Sequence, residues 1–361
     1  SISARGFSRV RHVACGQRMA ASEGPFALID GVESMLPGGG FSKRTAARRQ
    51  RNIRIVLGLL AGVGVGFLPF YLYNLRTPGT HQTTTSAGFG VPSEWRHARH
   101  LIMVAGHAVY KAHQRDAVHV LLEDSWHLES FQHGQLATML EHIEKGVQLA
   151  AEDNASLLVF SGGETRRAAG PRSEAMSYWD AADALSWFGA PHVRERTHLE
   201  AQARDSFENL LFSVCRFHEL SGAYPERITV VSFGFKRWRF EELHRAALRF
   251  PRQRFVYEGI DPPHLSPSVM AGERAHSARP FMHDPYGCRT SGLLEKRGTR
   301  NPFRRSVSYP LGCPDLSELM TYCEKEIFRG PLPWAKAVNE ADVVAFTRSI
   351  GGFRPARPRE G

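Results

Sequence analysis

Residues 156–175 read SLLVFSGGETRRAAGPRSEA. Ser156–Phe160 is a short apolar run suited to a buried strand, and Ser161, Gly162 and Gly163 break it. Pro171 followed by Ser173 then marks a helix start, with Ser173 as the N-cap. The same strand–loop–helix unit recurs in both directions. Upstream, LIMVAG (Leu101–Gly106) is a second strand, and residues 131–153 carry Leu136, Leu140, Ile143, Val147 and Ala150 at helical spacing. Downstream, the pattern predicts a helix over 173–188, a weak strand near Val193, a helix over 205–220 and the clearest strand, ITVVSF (Ile228–Phe233). A helix over 238–250 and the strand RFVYEG (Arg254–Gly259) follow. Alternation of this kind predicts an α/β fold over residues 99–262: a Rossmann-like, mostly parallel sheet with helices on both faces.

In open α/β sheets the ligand crevice lies outside the carboxyl ends of the strands. The residues after each strand are therefore the candidates. Gly106 and His107 follow the first. Ser161, Gly162, Gly163, Arg166, Arg172, Ser173 and Glu174 follow the second. Arg204, Ser206, Glu208 and Asn209 follow the third, and Ser232, Lys236 and Arg239 the fourth. Backbone amides of the SGG loop suit an anion, and Arg166, Arg172, Lys236 and Arg239 suit its countercharge. Glu174, Glu208 and His107 are the candidates for acid–base work or for a ribose or sugar hydroxyl. Plainer readings stand beside these: SGG as a tight turn, and Arg204 with Glu208, four apart, as an ion pair across one helical turn.

The order LIMVAG, FSGG…SEA, ARDSFEN, VVSFGFKRWRF resembles the YdcF/SanA/ElyC-like family of Rossmann-like domains of unknown function, closest to a eukaryotic branch with one membrane anchor. Ser161-Gly162-Gly163 and Ser173-Glu174-Ala175 match its SGG…SEA pattern. Ser206, Glu208 and Asn209 fill its T-x-EN element, with Ser for Thr. Ser232 and Arg239 correspond to its TS-x-x-H-x-x-R element, with Phe235-Lys236 where the usual His stands. DPYGC, KRGTRNPFRR and PLPW in the tail belong with the same branch. The resemblance implies membrane attachment and a small ligand, with adenosylmethionine or another nucleotide-like molecule as the cofactor.

The chain has 361 residues, 42% of them hydrophobic, and a net charge of +10. That charge is uneven: +7 over residues 1–54, −2 over 55–261 and +5 over 262–361. A nearly neutral folded centre argues against a nucleic-acid-reading surface, so no nucleic acid is expected as partner. No GxSxG elbow, Walker loop or complete GxGxxG is present, which removes the standard hydrolase, P-loop and dehydrogenase assignments. His107, His113 and His119 recur every six residues, a spacing that stacks no ligands on one helix face, so no metal is expected.

Residues 55–75, IVLGLLAGVGVGFLPFYLYNL, run uncharged for about 32 Å as a helix, enough to cross a bilayer. Basic residues before it place the N-terminus on the cytosolic or matrix side and the bulk of the chain across the membrane. The lipid bilayer is thus one partner. Gly58, Gly62 and Gly66 line one helix face, open to other membrane helices and to a larger membrane complex. The Arg- and Ser-rich first twenty residues suit an organellar leader, so the mitochondrial inner membrane and an endomembrane are the two candidate locations. Residues 1–54 are a basic segment and 76–98 a linker. Residues 263–361 form a loop-rich basic extension, with short helices at 317–327 and 335–350 and a candidate bridge between Cys288 and Cys313. The expected function is a membrane-anchored domain binding a small anionic or nucleotide-like ligand, with group transfer or hydrolysis. The alternative is a non-catalytic accessory subunit of an organellar membrane complex with a vestigial pocket.

Overall fold

The computed structural model of the protein describes residues 93–335 and 343, 344, 346 and 347. These belong to one compact unit. The span at 55–75, the basic leader and most of the linker lie outside the described residues. Among the described residues no helix is long and apolar enough to cross a membrane.

Five strands form one parallel sheet: β1 (His100–Ala105), β4 (Ser156–Ser161), β5 (Thr197–Glu200), β6 (Arg227–Ser232) and β7 (Phe255–Gly259), in the order β5-β4-β1-β6-β7. Two short strands, β2 (Val109–Tyr110) and β3 (Trp126–His127), pair antiparallel beside it. Every residue of β1 is buried, because the sheet is covered on both faces. Its alternate side chains feed two cores. Leu101, Met103 and Ala105 meet Phe207, Leu210 and Val214 on one face. Ile102 and Val104 meet Ile143, Val147 and Tyr178 on the other. The principal helices are α1 (Leu136–Glu152), α2 (Glu174–Ala184) and α3 (Ser206–Ser221). Helix α1 comes so close to β1 that a methyl on Gly146 would lie 2.4 Å from Val104 Cγ2.

Three expected elements differ in place or length. The third strand lies at Thr197–Glu200 rather than near Val193, because Pro191 opens a 3₁₀ segment to Arg196 and the sheet register pairs Thr197 with Leu158. The helix expected to reach 188 stops at Ala184, where Ser186, Trp187 and Phe188 turn with positive φ. The helix over 238–250 is a π-turn, Arg239–His244, running into Arg245–Ala247. The C-terminal extension is more helical than its composition implies. It contains α4 (Pro267–Glu273), which continues to His283 through a π-turn, and α5 (Ser291–Thr299). The helix expected at 317–327 is the single turn Ser317–Thr321. The Cys288–Cys313 bridge is not formed: Cys313 pairs with Cys215 of α3, and Cys288 pairs with Cys323. Both bonds fasten the extension, one to the sheet domain and one to itself.

Candidate functional site

Connections leave β1 and β6 on opposite sides of the sheet, so the carboxyl ends of these two adjacent strands border a crevice. A cavity of about 600 Å³ occupies it. Gly106 ends β1 with its amide donating to the Ser161 carbonyl (2.7 Å). A side chain at that position would come within 2.6 Å of Glu174 Cβ and 3.0 Å of the Ser161 oxygen, so only glycine lets α2 start here. His107 then turns into the crevice. Its ring stacks on Phe233 (4.7 Å between centroids), Nε2 lies 3.0 Å from Ser232 Oγ, and Nδ1 lies 3.3 Å from Lys236 Nζ. Burial, with Lys236 and His142 close by, holds the His107 imidazole well below its ordinary pKa, so it is neutral. Against an ammonium, which only donates, Nδ1 accepts and Nε2–H donates to Ser232.

Helix α2 is capped by Ser173, which accepts from the Met176 amide (2.9 Å). The next residue, Glu174, lies buried at the cavity wall and accepts from Thr165 Oγ1 at 2.5 Å. Across the cavity, Asp205 caps α3 by accepting from the Glu208 amide (2.9 Å) and pairs with Arg297 (2.6 Å). Burial alone would raise this carboxyl; Arg297 more than reverses that and holds it at about 2. Ser206 Oγ accepts from Arg239 Nη1 (2.6 Å), and Arg239 is clamped by both carboxylate oxygens of Glu273 (2.8 and 3.1 Å).

Three cations of the wall differ from the rest. Lys236, Lys296 and Arg300 have no carboxylate within ion-pair distance among the described residues. Lys296 reaches Ser277 Oγ (3.3 Å), and Arg300 reaches the Arg204 carbonyl (3.2 Å). Burial, reinforced by Arg239, brings Lys236 down to about 7. Burial, with Arg300 and Arg239, does the same for Lys296, to about 7. Phe131, Phe233 and Phe235 add flat apolar surface to the same wall.

Nine of the residues singled out from sequence meet at this cavity: Gly106, His107, Arg166, Glu174, Arg204, Ser206, Asn209, Lys236 and Arg239. The others stand behind it. The amides of Gly162 and Gly163 donate to the carbonyls of Glu200 and Ala203, so the SGG turn shapes the backbone and offers no amides to an anion. Ser161 Oγ is buried against Glu200 Oε2 (2.8 Å) and Asn209 Oδ1 (3.1 Å). Arg172 donates to the carbonyls of Tyr110 and Ala112. Ser173 is a cap, and Ser232 supports His107. Glu208 forms the plain ion pair with Arg204, shared with Arg297 at 3.3 Å, and does not line the cavity. Arg166 pairs with Glu129.

Asp205, Glu273, Lys296 and Arg300 are cavity residues that the sequence reading did not reach. Asp205 carried a signal, an N-cap residue three before Glu208. The KRGTR run held Lys296 and Arg300, but nothing local ties that run to the sheet edge. Among the described residues no cluster of His, Cys, Asp or Glu is arranged to hold a metal ion.

No family model matches the chain. A curated relative, the "Uncharacterized protein YOR238W" of Saccharomyces cerevisiae, is 25% identical over 260 residues, covering 58% of this chain and 86% of the relative. No solved structure matches.

Proposed function

We propose that the protein is a membrane-anchored, YdcF-like α/β domain that binds a small phosphorylated ligand and acts on it by group transfer or hydrolysis. One observation carries this reading: Lys236, Lys296 and Arg300 converge on a cavity at the switch point of a parallel sheet with no carboxylate at ion-pair distance among the described residues, Glu174 and Glu273 acting on them only through space. Cations left unpaired in a partly dry pocket are costly unless an anion meets them. The phenylalanine rings of the wall suit a base or another flat group beside the phosphate. Adenosylmethionine fits less well, because its sulfonium would add positive charge where positive charge is already unbalanced.

The four motifs that carry the YdcF resemblance lie along one sheet edge, which supports that reading. The two cystines that fasten the C-terminal extension suit an oxidising compartment, in keeping with a domain held across the bilayer from a basic N-terminus. The test is calorimetric titration of the full chain in mild detergent with inorganic phosphate, nucleoside phosphates, sugar phosphates and adenosylmethionine. Binding of phosphorylated compounds, weakened by Arg300→Met, is the expected result. Binding of none of them, with adenosylmethionine alone giving heat, would refute the assignment.

A further inference from the structure

Ser206 is held in an arrangement that its role as the first residue of α3 does not require. Its Oγ lies 2.7 Å from His244 Nε2 and 2.6 Å from Arg239 Nη1. A guanidinium only donates, so Ser206 accepts from Arg239 and its own proton points at His244. His244 Nε2 must then carry a lone pair, which puts the ring proton on Nδ1. That nitrogen has no hydrogen-bond partner among the described residues, although His244 is completely buried. Phe207, Phe240 and Phe281 enclose the ring. Burial and the charge of Arg239 keep the ring neutral, with Asp205 acting on it through space. The hydroxyl therefore faces the cavity with a base behind it and a fixed cation beside it.

We propose that Ser206 is the nucleophile of a phosphomonoester hydrolase and that His244 is its general base, a step that rests on the phosphorylated-ligand reading above. Ser206 Oγ bonds to phosphorus as its proton passes to His244 Nε2 and the bond from phosphorus to the substrate's ester oxygen breaks. The leaving oxygen takes a proton from water, releasing hydroxide. A second water then attacks the phosphoserine, the phosphorus–Oγ bond breaks, and the His244 imidazolium returns its proton to Oγ. The proton of the attacking water neutralises the hydroxide, so the balance is ester plus water giving alcohol plus inorganic phosphate. Arg239, pinned by Glu273, stabilises charge on the transferring group, and Lys296 and Arg300 hold its remaining oxygens.

The experiment uses the full chain in detergent with p-nitrophenyl phosphate as substrate and inorganic phosphate as binding probe. The expected results are turnover, phosphoserine at Ser206 in acid-quenched peptide maps, and a loss of about 100-fold or more in Ser206→Ala and in His244→Gln. Both variants still bind inorganic phosphate. Turnover that survives in a folded Ser206→Ala, or phosphate binding with neither turnover nor adduct, would overturn the Ser206 assignment while leaving the anion pocket standing. Failure of the unaltered chain to bind phosphate would remove both. Should Ser206→Ala not fold, His244→Gln and the peptide map of the unaltered chain decide the matter.

Discussion

The two halves of the cavity are built on different principles. The β1–β6 half holds His107, Ser232 and Glu174 on buried strands and a capped helix, each side chain fixed by backbone geometry and close glycine packing. The C-terminal half holds Glu273, Lys296 and Arg300 on α4 and α5, two short helices that present little apolar surface: none of α4 is buried, and of α5 only Leu293 is. The first half is positioned by hydrophobic burial. The second adds charge to burial: Arg297 to Asp205, Arg239 to Glu273 and the Cys215–Cys313 cystine hold it, beside Phe281, Tyr286 and Leu293, which enter the core against Phe207 and Phe240. The lesson is that a generic sheet edge acquires its charge from a segment that no apolar pattern announces.

That contrast is broken most directly at Arg297. Arg297→Met leaves Asp205 and Glu208 buried without their shared cation, and urea unfolding should show a loss of about 3–5 kcal/mol. An unchanged midpoint would mean that the extension is not held by charge. In the sheet half, burial raises the Glu200 carboxyl to about 7, against the hydrogen bonds from Gln202 and Ser161 that oppose the shift. A group raised in the folded state contributes stability that is complete below its unfolded value and lost as pH rises through about 7. For a shift of this size the loss is about 3 kcal/mol. Glu200→Gln should flatten the fall in unfolding free energy between about pH 4.5 and pH 7.

On the C-terminal side, Lys296→Met is expected to weaken phosphate binding about tenfold, near 1.4 kcal/mol, with stability little altered. An equal drop in stability and affinity would make Lys296 a structural residue instead. The smallest effect belongs to Arg305→Ala, which opens the exposed pair with Glu164 (2.9 Å) joining the extension to the loop after β4. Its unfolding midpoint should stay within experimental error.

The same contrast explains what the sequence discloses. Strands β1, β4 and β6 are readable because burial on both faces writes them as nearly continuous apolar runs, whereas β7, at the sheet edge with Val256 exposed, shows only in the short run Phe255–Tyr257. The third strand slips from Val193 to Thr197 because its register depends on β4, a partner 39 residues away at Leu158↔Thr197. Nine candidate residues reach the cavity because the sheet aligns its strand ends, whatever the loop details. The SGG amides fail as an anion cradle for the opposite reason: their carbonyl partners, Glu200 and Ala203, come from another strand end. Lys296 and Arg300 are unreadable because their helix shows no apolar stripe. The partner of Cys313 was likewise hidden inside α3, where Cys215 reads as one more core residue.

The most direct measurement is calorimetry of the full chain with inorganic pyrophosphate at about pH 6 and about pH 8.5. Lys236 and Lys296 both titrate near 7, while burial holds His107 well below its ordinary value, so it stays neutral across the interval. Affinity should therefore fall by about tenfold or more as pH rises across that interval, and Lys236→Met with Lys296→Met should remove that fall, leaving only the ligand's own titration. Absence of binding at both values, or a pH dependence untouched by the double substitution, would contradict a pocket built from unpaired cations.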